Sequence, residues 1–337
     1  MGIVATLGML IAGASPPAPA AALPLQALTM VTPRVGWAFD RSTRQVMRTT
    51  DGGQVWTPVG PPHPRVHIAL LSFPSTTHAV VIGIPSHLRH VGWRVWTTTT
   101  AGRIWCTSFL PEPTPHRYRQ EGLLGPAGAQ TLTWLTPTDG SLVTTLQGGF
   151  ASADGDLLYH TTDGGRTWRF VTALPGLDDQ GVVFSSPSIG WMAWGGNYAR
   201  APVLDESTDG GITWHAVALP RPPLVPAARN PRVGYNPQAV GLPRFATPQM
   251  GAVLTVYRGL SLNAQRILPD FFVVYVTTDG GRHWQWMVVA RTPQPVNMLR
   301  EAFMTPTTLR WRRSGSTWLL VVLNRYRDVV AEWPVSD

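Results

Sequence analysis

The chain has 337 residues, 44% of them hydrophobic and only 14% charged, which excludes a charge-rich disordered protein and a coiled coil. Its 33 glycines and 32 prolines leave no room for long helices, and one cysteine, Cys106, excludes an internal disulfide framework and a cysteine-based metal cluster. The net charge is +8, but all 27 basic residues are scattered arginines. That skew fits genome-wide codon bias as well as selection for a partner, so it does not point to nucleic acid.

From the N-terminus, Ile3 to Ala12 are apolar and lead into Ser15-Pro16-Pro17-Ala18-Pro19-Ala20-Ala21-Ala22. This stretch resembles a secretory signal peptide, with Ala20-Ala21-Ala22 as a small-x-small cleavage site. No basic residue precedes Arg34, so the basic leader region is missing. The other reading is a buried apolar strand followed by a Pro/Ala linker. Export to the cell envelope or beyond is the expectation, with residues 25–337 as a single domain. The apolar runs are too short for a transmembrane helix of ~18 residues.

The strongest signal is an internal repeat. Thr49-Thr50-Asp51-Gly52-Gly53-Gln54-Val55-Trp56 returns as Thr161 to Trp168, as Ser207 to Trp214 and as Thr277 to Trp284. A decayed copy, Thr98 to Trp105, has lost its aspartate. A second marker, Thr/Ser/Phe-Pro, precedes each box: Pro33, Pro74, Pro137, Pro187, Pro248 and Pro306. Several are followed by Gly-Trp or Gly-apolar, as in Gly36-Trp37, Gly190-Trp191 and Gly251-Ala252. The module therefore reads strand, proline turn, strand, strand, Asp-Gly-Gly turn, strand. Six markers predict six modules, each suited to a four-stranded antiparallel sheet with variable loops.

The box has the chemistry of a tight hairpin. The Asp carboxylate accepts backbone N–H groups just ahead of it, the glycines take left-handed conformations, and the Trp caps the apolar space between sheets, burying about 200 Å². Asp51, Asp163, Asp209 and Asp279, with Trp56, Trp105, Trp168, Trp214 and Trp284, are accordingly expected to be structural.

The box resembles the Asp-box, or BNR, repeat of sialidases, sortilin-type receptors and many exported β-propellers. The fuller module, with Gly-Trp on the second strand, looks most like the photosystem II stability/assembly factor-like propellers. The resemblance spans about residues 27 to 305 and implies an all-β fold, a β-propeller of six four-stranded blades, with seven allowed. It says little about function.

Loop lengths suggest where function sits. Box to next proline marker is shortest from Asp51 to Pro74, and much longer from Thr100 to Pro137 and from Asp209 to Pro248. Both additions should project on the face opposite the box turns. They carry Arg117, Tyr118, Arg119, Arg221, Arg229, Arg232 and Tyr235. Arginine and tyrosine on proline-stiffened loops are the makings of a recognition surface. The bland alternative is a pair of tolerated insertions.

Catalytic readings fit poorly. A sialidase-like site needs an arginine cluster, a Tyr/Glu nucleophile pair and an acid, but Arg266-Ile267-Leu268-Pro269 is an imperfect match in the wrong module. Asp178 and Asp179 are adjacent, so on a strand they would point to opposite faces. The histidines His63, His67, His78, His87 and His90 lack metal-ligand spacing. Cys106, beside Trp105, is expected to be small, buried and inert. The expectation is a monomeric, non-catalytic scaffold without cofactor or metal, binding a protein or cell-envelope component rather than nucleic acid. A carbohydrate-binding or glycoside-hydrolysing propeller is the alternative.

Overall fold

The computed structural model describes residues 25–335 apart from 62–65, 86–92, 112–125, 147–155, 175–178, 195–202, 226–232, 262–269, 292–305 and 325. The described residues hold strands and no helix, so none that is long and apolar enough to cross a membrane.

Six antiparallel sheets follow one another along the chain. The first contains β1 (Leu25–Met30), β2 (Gly36–Asp40), β3 (Gln45–Thr49) and β4 (Thr57–Pro58). The second contains β5 (Val66–Ser72), β6 (Ala79–Pro85), β7 (Arg94–Thr98) and β8 (Cys106–Phe109). The third contains β9 (Pro126–Trp134), β10 (Gly140–Leu146), β11 (Asp156–Thr161) and β12 (Arg169–Leu174). The fourth contains β13 (Asp179–Phe184), β14 (Gly190–Trp194), β15 (Leu204–Ser207) and β16 (His215–Val217). The fifth contains β17 (Val233–Ala239), β18 (Arg244–Phe245), β19 (Gly251–Ser261), β20 (Phe271–Thr277) and β21 (Gln285–Arg291), with β17 and β18 both pairing β19 as interrupted parts of one first strand. The sixth has only β22 (Pro306–Ser314), β23 (Thr317–Asn324) and β24 (Val329–Val335). The chain is a β-propeller of six blades, as the repeat predicts.

Alternation in the second strands places apolar side chains on both faces of a blade. On β6, Ala79 and Val81, with Trp96 of β7, face Trp37, Phe39 and Val46 of the first blade. Val80 and Ile82 face the third with Leu142, Leu157, Tyr159 and Trp168. Similar clusters lie between the third and fourth, fourth and fifth, and fifth and sixth blades. Each blade is thus a double-sided layer whose stability depends on its neighbours.

The Gly-Trp pattern has a steric cause. A Cβ on Gly36 would lie 2.3 Å from Met30 Sδ, on Gly140 2.6 Å from Trp134, on Gly190 2.8 Å from Phe184 and on Gly251 2.5 Å from Phe245. In these four blades a large residue of the first strand crosses over the start of the second. Only glycine leaves room for it.

Two expectations need correction. Cys106 is exposed, because it opens the outer strand β8 instead of lying between sheets. Pro306 does not turn between first and second strands; it opens β22 and pairs with Asn324. Trp311 of β22 donates its indole N–H to the Arg244 carbonyl (2.8 Å), as Trp134 of β9 donates to Ser72 of β5 (2.9 Å). So β22 is itself a first strand, and its turn to β23 runs through Gly315, at φ 60°.

The decayed box folds like the others. Thr98 Oγ1 accepts from Gly102 N (3.1 Å), and Thr100 Oγ1 takes the aspartate's place by accepting from Ile104 N (2.9 Å). Ala101 stands where the first glycine belongs, at φ 59°, a strained conformation for a residue with a Cβ. Restoring the pattern with Thr100→Asp and Ala101→Gly together should therefore stabilise the chain by about 1 kcal/mol or more. A urea melt reads this directly.

Candidate functional site

Proline turns and box turns share one face of the ring and are tied together. Gly52 N donates to Arg34 O (2.8 Å), Gly164 N to Thr138 O (2.9 Å), Gly210 N to Ser188 O (2.9 Å) and Gly280 N to Gln249 O (2.8 Å). Even the decayed box does this, through Ala101 N to Thr77 O at 2.8 Å.

Within the box the carboxylate closes the turn. Asp209 Oδ1 accepts from Ser207 Oγ (2.9 Å), Ile212 N (3.0 Å) and Thr213 N (2.9 Å), and Oδ2 accepts from Thr213 Oγ1 (2.6 Å). Ser207 Oγ in turn accepts from Gly211 N (2.8 Å). Asp163 repeats this with Thr161 and Thr167, Asp279 with Thr277 and His283, and Asp51 with Thr49 and Val55.

These bonds favour the ionised form. The Thr213 hydroxyl and amide hold Asp209 down to about 2. Asp279 falls to about 2 although burial opposes it, because the His283 amide and imidazole bind the carboxylate. Asp51 and Asp163 shift the same way. A carboxyl whose folded pKa lies below its unfolded one contributes stability above the unfolded value, 3.8, and loses it as pH falls towards 2. The urea midpoint should be flat above about pH 5 and fall steeply from about pH 4 to 2. A midpoint unchanged over that window would contradict the assignment.

The box tryptophans seal blades together. Trp105 of the second blade donates to Val59 O of the first (2.6 Å). Trp168 joins the cluster against Val80 and Ile82 of the second blade, and Trp284 that against Trp191 of the fourth. Trp214 packs on the cluster holding Val143 and Leu158 of the third. The second box glycine presses on the same neighbour: a Cβ would stand 2.5 Å from Val59 at Gly102, 2.6 Å from Leu158 at Gly211 and 2.1 Å from Trp191 at Gly281.

His78 couples the second and third blades. It is buried, its Nε2 lies 2.8 Å from Gly164 O, and Thr97 Oγ1 donates to the same carbonyl at 2.8 Å. Burial pushes its pKa down, keeping the ring neutral, so Nε2 carries the proton and donates.

The opposite face is different. Strand β16 runs away from its box, so the segment after Val217 emerges there. Val225 is buried in the core between the fourth and fifth blades and donates its N–H to Pro222 O (3.0 Å), closing a turn. Tyr275 donates its hydroxyl to Pro220 O (2.9 Å). That spends its one proton, so the 2.6 Å contact between the two phenols is a bond donated by Tyr257. Burial raises the pKa of both tyrosines, which keeps both hydroxyls protonated. The Arg221 guanidinium lies 5.4 Å over the Tyr257 ring. Arg221 is exposed, and Leu224 is 67% exposed.

Of the residues the sequence nominates, the structure places Arg221 on this pinned loop. Tyr235 lies on β17, register-paired with Gly259. Arg117, Tyr118, Arg119, Arg229 and Arg232 lie outside the described residues, as do Asp178, His63, His87, His90 and Arg266. Sequence reading missed Tyr257, Tyr275 and Leu224. The signal available was a tyrosine in each of two neighbouring, mostly apolar strands. Among the described residues no group of three or more His, Cys, Asp or Glu could hold a metal ion.

Residues 206–216 match the family model of the BNR/Asp-box repeat. No curated protein matches the chain. Solved structures similar to it include YCF48 bound to D1 peptide, at 14% identity over 94% of this chain and 92% of that one, TM-score 0.38. Another is YCF48 from Cyanidioschyzon merolae, at 13% identity over 89% and 92%, TM-score 0.38. A third is an ancestral GH74 enzyme, at 14% identity and TM-score 0.47; this chain is covered to 93% but spans only 38% of that enzyme. The strand order makes this chain a β-propeller, and residues 206–216 carry a BNR/Asp-box repeat whose turn chemistry recurs at Asp51, Asp163 and Asp279.

Proposed function

We propose that the chain is a non-catalytic scaffold that binds a protein partner through the loops opposite its box turns. The observation that carries this is the pinned loop 218–225. Buried hydroxyls and a buried valine fix its backbone, while Arg221 and Leu224 are presented outward. A cation held on an aromatic ring beside an exposed leucine suits an acidic, partly apolar peptide surface. Pre-fixing the loop lowers the entropy lost on binding. Asp163, Asp209 and Asp279 support the same reading, since both oxygens of each are engaged in closing the turn and leave little to offer a sugar.

The arginines and tyrosine at 117–119 and those at 229 and 232 belong to connections that leave β8 and β16 on this face, and we assign them to the same surface. The test is quantitative cross-linking of the purified chain to its partner, compared with Arg221→Ala/Leu224→Glu. Captured partner should fall by about tenfold or more at unchanged melting temperature. Equal capture would overturn the loop assignment, and binding or cleavage in a panel of glycans and fluorogenic glycosides would favour the carbohydrate reading instead.

A further inference from the structure

In the first blade the second and third strands are joined by residues 41–44, and in the sixth by the turn between Asn324 and Val329. In the second blade the outer strand β8 ends at Phe109. Second strands start on the face of the ring that carries the box turns, and fourth strands leave the boxes, so all three points emerge on the opposite face. In a ring of six blades the sixth, first and second are consecutive. The two hairpins are closed alike. Asp40 ends β2 and accepts from Ser42 N (2.8 Å), Ser42 Oγ (2.7 Å) and Thr43 Oγ1 (2.8 Å). Asn324 ends β23, and its Oδ1 accepts from Tyr326 N (2.8 Å) and Asp328 N (2.9 Å). Each hairpin holds an arginine in a left-handed conformation, Arg44 at φ 57° and Arg327 at φ 70°. Glycine would sit there without strain, so turn closure does not call for arginine at either place.

These tips mix cations with exposed apolar side chains. Arg41, Arg44 and Arg327 are exposed, and so are Tyr326 (48%) and Val329 (58%). On the second blade the Arg94 guanidinium lies 5.1 Å over the ring of Phe109, which is 49% exposed. Against these four arginines, the described residues of the three tips offer two carboxylates. Asp40 is buried and turned to its own hairpin, and Asp328 Oδ2 accepts from Asn324 Nδ2 (3.1 Å). On the box face, by contrast, Arg166 and Arg282 stand in turns whose ionised Asp163 and Asp279 offset them.

We propose that this arc of the sixth, first and second blades docks on an anionic bilayer surface. Arg41, Arg44 and Arg327 meet lipid phosphates, while Tyr326, Val329 and Phe109 enter the headgroup layer. The disposition favours a bilayer over a protein. A protein interface gathers its apolar residues into one centre depleted of charge. Here the apolar side chains stand singly on separate tips and alternate with cations from blade to blade. A planar, negatively charged surface can meet all of them at once, with aromatic rings at headgroup depth and basic residues beside them. The arc shares no residue with the protein-binding loop, which follows the fourth blade, so the two assignments stand or fall separately.

Co-sedimentation of the full chain with vesicles tests this. The chain should pellet with vesicles of equal parts phosphatidylcholine and phosphatidylglycerol, stay in solution with phosphatidylcholine alone, and be released from the mixed vesicles as salt is raised. Arg44→Gly/Arg327→Gly removes two cations and relieves two strained conformations. It should bind the mixed vesicles about tenfold more weakly, or less, without a lower melting temperature. Phe109→Ser/Tyr326→Ser should also weaken binding, whereas Arg221→Ala/Leu224→Glu should bind vesicles as the unaltered chain does. No pelleting of the unaltered chain with the mixed vesicles would overturn the proposal. So would equal pelleting with phosphatidylcholine alone, or by Arg44→Gly/Arg327→Gly. Vesicle binding lost with Arg221→Ala/Leu224→Glu but kept by Arg44→Gly/Arg327→Gly would place the lipid contact elsewhere and overturn it too. If vesicles are never bound and Arg44→Gly/Arg327→Gly loses capture of the protein partner, the arc belongs to that partner and the bilayer assignment fails.

Discussion

Alanine at Gly281 is expected to destabilise the protein by about 2–5 kcal/mol, whereas alanine at Gly53 should cost about 1–2 kcal/mol. Both glycines stand in left-handed conformations, at φ 97° and 93°, so backbone strain is common to the two. They differ in what a new methyl group would strike. At Gly281 it would lie 2.1 Å from Trp191 Cη2, and that indole is fully buried, stacked on Phe245 at 5.8 Å and edge-on to Trp284 at 5.6 Å. It has nowhere to move without displacing two more rings. At Gly53 the nearest atoms belong to Trp56, at an ordinary 3.8 Å. Urea melts of the two variants measure the difference. Equal losses would mean that strain alone, and not contact between blades, explains the second glycine.

Trp191→Ala should cost about 3–5 kcal/mol, the range for deleting a fully buried aromatic side chain. Trp191 sits on β14 with no exposed surface and serves the core between the fourth and fifth blades. Trp284→Ala should be similar. The two rings touch, so the double variant should lose less than the sum, by roughly 0.5–1.5 kcal/mol. Additivity within error would place the rings in independent sites, against the geometry.

Most of the framework was legible because it is written in local chemistry. Thr-Thr-Asp-Gly-Gly-x-x-Trp announces a turn through the side chains that close it, and Gly-Trp announces a strand start through the space a neighbour needs. What failed to show was non-local. Thr305-Pro306 looks like the other markers, yet no Gly-Trp follows, and the residue begins a first strand. Cys106 sits next to an interior Trp but opens an outer strand, where neighbouring residues fall on opposite faces. The loop at Arg221 could be nominated by length and composition. Its anchoring could not, since Tyr257 and Tyr275 lie on two strands of the next blade and only folding brings them to Pro220. The decayed box shows the reverse case: it lacks the aspartate, yet the Thr100 hydroxyl at that position accepts the same amide.

The scaffold role of the box carboxylates is tested most directly by melting Asp209→Ala beside the unaltered chain from pH 7 to pH 2. The account predicts a clearly lower melting temperature for the variant at pH 7 and a gap that closes as the pH falls from about 4 to 2, where the native carboxyl takes up its proton. A variant that melts with the unaltered chain at pH 7, yet has lost its partner or any activity the chain possesses, would show that Asp209 serves a ligand and would contradict the account.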